Sequence, residues 1–80
     1  MRAMIKNVNI RGCAPKVNKK DEEYLLVRFE DETGESFELV DKDMSNQPKY
    51  KRNAEGDMII DISIGKYTTI RVAEFTAYKQ

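Results

Sequence analysis

The 80-residue chain contains no histidine and only one cysteine, Cys13. Zinc sites in proteins are built from several Cys and His ligands, so a site of that kind is excluded, as is a disulfide within the chain. Acid–base catalysis by histidine is excluded too, and no other catalytic set is present. A lone cysteine fits a reducing compartment or a small apolar filler. The sequence therefore predicts no enzyme, no metal and no cofactor.

Long hydrophobic runs are also absent. No stretch approaches the roughly 20 apolar residues of a membrane span, and the start, MRAMIKNVNI, lacks the apolar run of a signal peptide. We therefore expect a cytoplasmic protein with no membrane attachment. The length predicts one domain over residues 1–80, and 40% hydrophobic with 35% charged residues is typical of a folded domain.

The chain has no net charge, with 14 basic and 14 acidic residues, but the charges are unevenly distributed. Residues 1–20 hold six bases and no acid, residues 21–43 hold ten acids and two bases, and residues 44–80 hold six bases and four acids. One interpretation is that solvated faces offset one another. The other is a two-sided surface with one face suited to anions.

Alternating apolar and polar residues predict five strands, over 4–10, 23–30, 35–40, 57–64 and 66–79. In the second strand Leu25, Val27 and Phe29 share the inner face, and Gly34 predicts a hairpin turn to the third strand, where Phe37 and Leu39 face inward. Residues 41–56 are polar and contain Pro48, so they predict a long loop, with at most a short helical turn near 42–47.

The last strand changes its apolar face partway along. Ile70 and Val72 share one parity, whereas Phe75 and Ala77 share the other. A regular strand cannot do this, so we predict a β-bulge near Ala73–Glu74. The expected fold class is all-β, a small five-stranded barrel of the oligonucleotide-binding (OB) type, because closure removes exposed strand edges. A Src-homology-3-like barrel is the alternative.

Proteins that bind single-stranded nucleic acids combine cations along the phosphates with aromatic rings on which bases stack. The sequence groups both residue types around Tyr24, again around Tyr50, and a third time at Lys66, Tyr67 and Arg71, with Tyr78 and Lys79 at the end. In an OB barrel, the second and third strands and the loop after the first strand contact the ligand. The candidate binding residues are Lys16, Lys19, Lys20, Tyr24, Arg28, Lys49, Tyr50, Lys51 and Arg52.

The order of segments resembles the single-stranded-DNA-binding proteins of filamentous phages, the gene V type. The resemblance rests on MIKNVNI, a lysine-bearing loop, EYLLVRFE, a polar middle loop and GKYTTIRVAEFTAYK, and it spans most of the chain. It implies an OB-type barrel, often dimeric, that coats single strands without strong sequence preference. Lys16, Lys19, Lys20 and Tyr24 would match the DNA-binding arm of that family. This chain differs in having no aromatic residue within 12–22, no net charge and an acidic hairpin.

Two functions remain open. The first is binding of single-stranded DNA, or RNA, by a protein encoded by a phage or mobile element. The second is a protein-interaction or inhibitor domain, using the acidic hairpin at 30–38 or an open strand edge to bind a basic partner.

Overall fold

The computed structural model describes residues 1–78 and shows five strands and one short helix. The strands are β1 (Arg2–Val17), β2 (Glu23–Glu30), β3 (Ser36–Asp41), β4 (Glu55–Ser63) and β5 (Thr69–Ala77), with a 3₁₀ helix at Met44–Lys49. They form a closed barrel in the order β1-β2-β3-β5-β4. The prediction of an all-β, five-stranded barrel is confirmed, and the small fold is compatible with the OB type. Within residues 1–78, no helix has the length and apolar character needed to cross a bilayer.

Strand β1 is longer than predicted, because Gly12 and Pro15 do not end it. Its register shifts twice, between Ile5 and Val8, where Asn7 has a φ of 58°, and between Ile10 and Gly12. Such irregularities bend a strand. The bent β1 pairs with β4 along its first half and with β2 along its second half, which closes the barrel. Within residues 1–78, Pro15 pairs with β2 alone, so it lies on an edge of the sheet, and an edge position tolerates proline.

The inner faces of the strands form the core as the alternation predicts. Leu25, Val27 and Phe29 of β2 have no exposed surface. The other buried apolar side chains come from three strands and from the segment after the helix: Val8, Ile10, Met58, Val72, Phe75 and Tyr50. Burying these side chains supplies most of the driving force for folding so short a chain.

The predicted bulge in β5 is confirmed. Ile59 of β4 pairs with Glu74, but the next residue, Ile60, pairs with Val72, so Ala73 is an extra residue in β5. The inserted residue restores the inward direction after the bulge, which is why Val72 and Phe75 are both buried although their spacing is odd. β5 begins at Thr69 rather than at residue 66, and the segment 64–68 is the loop between β4 and β5.

Other predicted boundaries and orientations need correction at the barrel rim. β4 begins at Glu55, two residues before the predicted start at residue 57. This extension includes Gly56, where a Cβ atom would lie 2.2 Å from the carbonyl oxygen of Thr76. Only glycine fits that close approach. Phe37 stacks on Phe29 with ring centroids 5.6 Å apart, yet it is 40% exposed, and Ile64 is 71% exposed beyond the end of β4. Inward parity does not ensure burial where the barrel ends.

Candidate nucleic-acid interface

The outer face of β2 carries one side of the predicted site. Tyr24 and Leu26 are half-buried there, and Arg28 is exposed. The register places Lys16 of β1 opposite Tyr24, and it places Ala14 of β1 and Val40 of β3 on the two sides of Leu26. We call these six residues the outer face: Ala14, Lys16, Tyr24, Leu26, Arg28 and Val40. Lys16 thus belongs to the end of a strand, not to the loop where the sequence placed it.

A groove of about 390 Å³ lies beside Tyr24 on the outer face. Leu26 and Val40 line its apolar part. The pairing of β2 with β3 ends at Leu25 and Asp41, and the next residue, Lys42, lines the groove together with Tyr24. The groove therefore combines an aromatic ring with one lysine, and Lys16 lies opposite the ring on β1. This combination of ring, apolar floor and cations can hold a base and its phosphates.

The turn between β1 and β2 forms one rim of this groove and is held by a single side chain. The Asn18 Oδ1 atom accepts hydrogen bonds from the backbone N–H groups of Lys20, at 2.8 Å, and of Glu22, at 3.0 Å. The Asn18 N–H donates to the Glu22 carbonyl oxygen at 3.0 Å. Asp21 has a φ of 61°, which closes the turn. Lys19 and Lys20 are exposed on this turn, within reach of a strand that crosses the outer face.

Arg28 lies at the other end of the outer face and is partly neutralised. Its Nε atom is 3.9 Å from Oε1 of Glu38, the residue directly opposite on β3. A second groove, of about 190 Å³, extends from Lys16 past Leu26 to Arg28 and Glu38. Since both partners of this pair are exposed, the pair is weak and a phosphate can compete for the guanidinium group.

The prediction that bases stack on Tyr50 is wrong. Tyr50 is only 5% exposed, its ring stacks on Phe75 with centroids 5.7 Å apart, and its hydroxyl donates to Oδ2 of Asp41 at 2.5 Å. A base needs a free ring face, and this ring has none. Burial, followed by the hydrogen bond to Asp41, raises the pKa of Tyr50 far above its ordinary value. Tyr50 is a core residue that fills one end of the barrel.

Asp41 is the buried partner of this tyrosine, with 3% of its surface exposed. Besides the Tyr50 hydroxyl, it accepts hydrogen bonds from Nδ2 of Asn46 and from the N–H of Asp43, both at 2.9 Å. Three donors from the segment after β3 therefore converge on one carboxylate. This satisfies the buried charge and fixes the 3₁₀ helix and Tyr50 against the barrel.

The three cations around Tyr50 are not part of the outer face. Lys49, Lys51 and Arg52 are exposed and line grooves beside the end of β5, which share no residue with the two grooves of the outer face. Carboxylates lie nearby, since Glu74 and Glu55 line these same grooves. The structure therefore does not bring the 16–20 and 49–52 groups together on one surface.

The list of candidate binding residues predicted from the sequence omits two cations that lie beside the outer face, Lys42 and Arg71. Lys42 lies within the acidic segment 21–43, which concealed it, although it has the same outward parity as Val40. Arg71 of β5 pairs with Val40 and extends the row formed by Ala14, Leu26 and Val40. The parity of β3 could have found Lys42, but Arg71 needed the β3–β5 pairing, which no local pattern shows.

The acidic hairpin contacts its own chain. Glu30 is 3.9 Å from Nε of Arg11, and Nη1 of Arg11 donates to Oδ1 of Asn53 at 3.3 Å. Oε2 of Glu32 accepts from Nδ2 of Asn7 at 2.9 Å. With the Arg28–Glu38 pair, three of the hairpin acids are engaged by neighbouring strands. The hairpin is thus tied to the barrel.

The remaining chemistry of the site is limited. Among residues 1–78, no cluster of three or more Cys, Asp or Glu side chains could hold a metal ion. Cys13 is half-buried beside the smaller groove, and burial, with a smaller contribution from Asp41, raises the pKa of its thiol. A raised pKa makes a thiol less reactive.

A scan against protein-family models, a search of curated proteins and a search of solved structures each found no match for the chain.

Proposed function

We propose that the protein binds single-stranded DNA across the outer face of β1, β2 and β3. The observation that carries the proposal is the half-buried ring of Tyr24, which lies opposite exposed Lys16 on β1 and lines a groove with an apolar floor together with exposed Lys42. Bases would stack on Tyr24 and pack on Leu26, while phosphates contact Lys16, Lys42 and the lysines of the turn. Lys19, Lys20, Arg28 and Arg71 extend the cationic track on either side.

Local positive charge is enough for this function although the chain is neutral. Six cations lie on or beside the outer face: Lys16 and Arg28 on it, Lys19 and Lys20 in the adjoining turn, and Lys42 and Arg71 next to it. Within the described residues only Arg28 of these six forms an ion pair. Each phosphate contact releases counterions and strengthens binding at low salt. Acids at the rim, Glu22 and Glu23, oppose this, so we expect moderate affinity.

The resemblance to the gene V type brings two further proposals, a phage or mobile-element origin and a homodimer, and a cytoplasmic location is proposed from the lone cysteine and the absence of a long apolar run in the sequence. The alternative is a protein-interaction or inhibitor domain that uses the acidic hairpin or an exposed strand edge, and a basic partner at the hairpin would have to displace the contacts that Glu30, Glu32 and Glu38 make within the chain. It predicts that a basic partner is captured through the hairpin and that no oligonucleotide binds.

Fluorescence anisotropy with labelled oligo-dT of about 12 nucleotides, a length within the range of one OB barrel, tests the proposal. Binding should weaken strongly when the salt concentration is raised. The Tyr24→Ala variant should lose roughly 1–3 kcal/mol of binding free energy, whereas Tyr24→Phe, which keeps the ring, should stay close to wild type. A parallel titration with oligo-rU decides between DNA and RNA. Equal affinity for both Tyr24 variants would remove the ring from the site, and no binding at low salt would reject the proposal.

A further inference from the structure

The groove beside Tyr24 has an acidic rim on a face that we propose binds an anionic polymer. Glu22 and Glu23 are exposed and line this groove together with Lys42. A phosphate would be repelled by these carboxylates. A base edge that presents uncharged N–H donors would instead be attracted, because a carboxylate accepts hydrogen bonds. The groove is therefore better suited to a base than to the backbone of a strand.

Of the two carboxylates, Glu22 is the one that is held in place. Its Oε1 atom accepts a hydrogen bond from Nδ2 of Asn18 at 3.3 Å, and its backbone N–H and C=O are both bonded to the same asparagine. The turn therefore holds the Glu22 backbone, and one hydrogen bond favours a position of its carboxylate beside Asn18. A preorganised acceptor loses little conformational entropy on binding. This makes Glu22 the stronger candidate for recognition.

We propose that the Tyr24 groove is a base subsite that prefers guanine, in which the Glu22 carboxylate accepts hydrogen bonds from the edge of the base. This inference rests on the proposed function. Guanine presents two adjacent donors, N1–H and the N2 amino group, which match the two oxygens of one carboxylate, and it presents O6 as an acceptor for Lys42. Thymine has a single N–H between two carbonyl oxygens, which a carboxylate repels. Cytosine and adenine offer an amino group beside an acceptor, so they match only one of the two oxygens.

The size and walls of the groove agree with one base. Its volume, about 390 Å³, lies at the low end of the range for small-molecule sites, roughly 300–1,000 Å³. Tyr24 provides the stacking surface and Leu26 with Val40 the apolar floor. A guanine stacked there would direct its polar edge toward the rim where Glu22 and Lys42 lie. Stacking alone tolerates every base, so the carboxylate is what would add selectivity.

The experiment compares oligo-dT with the same oligonucleotide carrying a single central dG or a single central deoxyinosine, which lacks the N2 amino group. The wild type should bind the dG oligonucleotide roughly tenfold more tightly than oligo-dT, with deoxyinosine in between. The Glu22→Gln variant replaces one acceptor oxygen by an N–H₂ donor and can keep the bond to Asn18. Its ratio of dG to oligo-dT affinity should fall close to one.

Glu23→Gln is the matched control, because it removes the same charge from the neighbouring residue. Both variants should bind oligo-dT somewhat more tightly because each removes a negative charge, so the affinity ratio, not the affinity, is the readout. Equal wild-type affinities for the three oligonucleotides would overturn the guanine preference and leave the proposed function standing. A ratio that falls equally in both variants would overturn the role of Glu22. No binding to any of the three would reject the proposed function and, with it, this inference.

Discussion

Tyr24 and Tyr50 are both predicted from the sequence to stack on bases, since each is a tyrosine with lysines nearby in or beside a polar turn, but the structure places them in opposite environments. Tyr24 is half-buried on the outer face, in register with Lys16. Tyr50 is 5% exposed and fills one end of the barrel. The cations flanking a tyrosine do not determine where its ring goes, because a lysine beside a core residue simply extends into water. The two tyrosines differ in their position relative to the strands. Tyr24 lies on a predicted strand, where alternation assigns its side chain to the outer face, whereas Tyr50 lies in a predicted loop, where no alternation assigns it to a face.

The largest expected difference between the two tyrosines is in stability. Tyr50→Ala removes a buried ring from Phe75 and a hydrogen bond from a buried carboxylate, so it should lower the free energy of unfolding by about 3–5 kcal/mol. Tyr24 lies on the outer surface of the barrel, so Tyr24→Ala should lower the free energy of unfolding by about 1 kcal/mol or less. Urea unfolding followed by circular dichroism measures both. If the two variants were equally stable, the assignment of Tyr50 to the core would be wrong.

A smaller change isolates the hydroxyl of Tyr50. Tyr50→Phe keeps the ring but leaves Asp41 without one of its three donors, and hydrogen bonds to charged groups contribute about 1.5–3 kcal/mol. The loss in unfolding free energy should fall in that range. A variant as stable as wild type would show that Asn46 and the Asp43 N–H alone satisfy the carboxylate. Tyr24→Phe is the matched control and should have almost no effect.

The stability of wild type and of Tyr50→Phe should also depend differently on pH. The pKa of Tyr50 in the folded protein is raised from its ordinary value of 10.0, so the native state keeps a proton that the unfolded chain loses. Stability from this group is therefore fully present below about pH 10 and declines as the pH rises further. Wild type should lose more unfolding free energy than Tyr50→Phe between about pH 9 and pH 11. Parallel declines would contradict the raised pKa.

Much of the fold follows from strand parity in the sequence, and the site follows only in part. The alternation of β2 placed Leu25, Val27 and Phe29 in the core, and the parity change in β5 located the bulge at Ala73. The buried carboxylate of Asp41 was not predictable, because its donors come from a segment without a repeating pattern. Likewise, Arg71 joins the outer face through a single parallel pair, a contact between residues 31 apart in the chain.

The smallest expected effect tests which lysines contact phosphates. Lys16 lies opposite Tyr24 and Lys42 lines its groove, whereas Lys49 and Lys51 flank Tyr50 and line other grooves. For single strands, the slope of log affinity against log salt changes by about 0.7 for each phosphate contact. Lys16→Gln combined with Lys42→Gln should therefore make the slope shallower by about 1.4. Lys49→Gln with Lys51→Gln removes the same charge, but these lysines lie off the outer face. This double variant should therefore change the slope by less than the roughly 0.7 expected for one phosphate contact.

Anisotropy titrations over a salt series distinguish the two double variants. Equal slopes for both double variants would mean that the strand responds to the overall potential of the barrel, and the contrast between the two tyrosines would then hold for folding but not for binding.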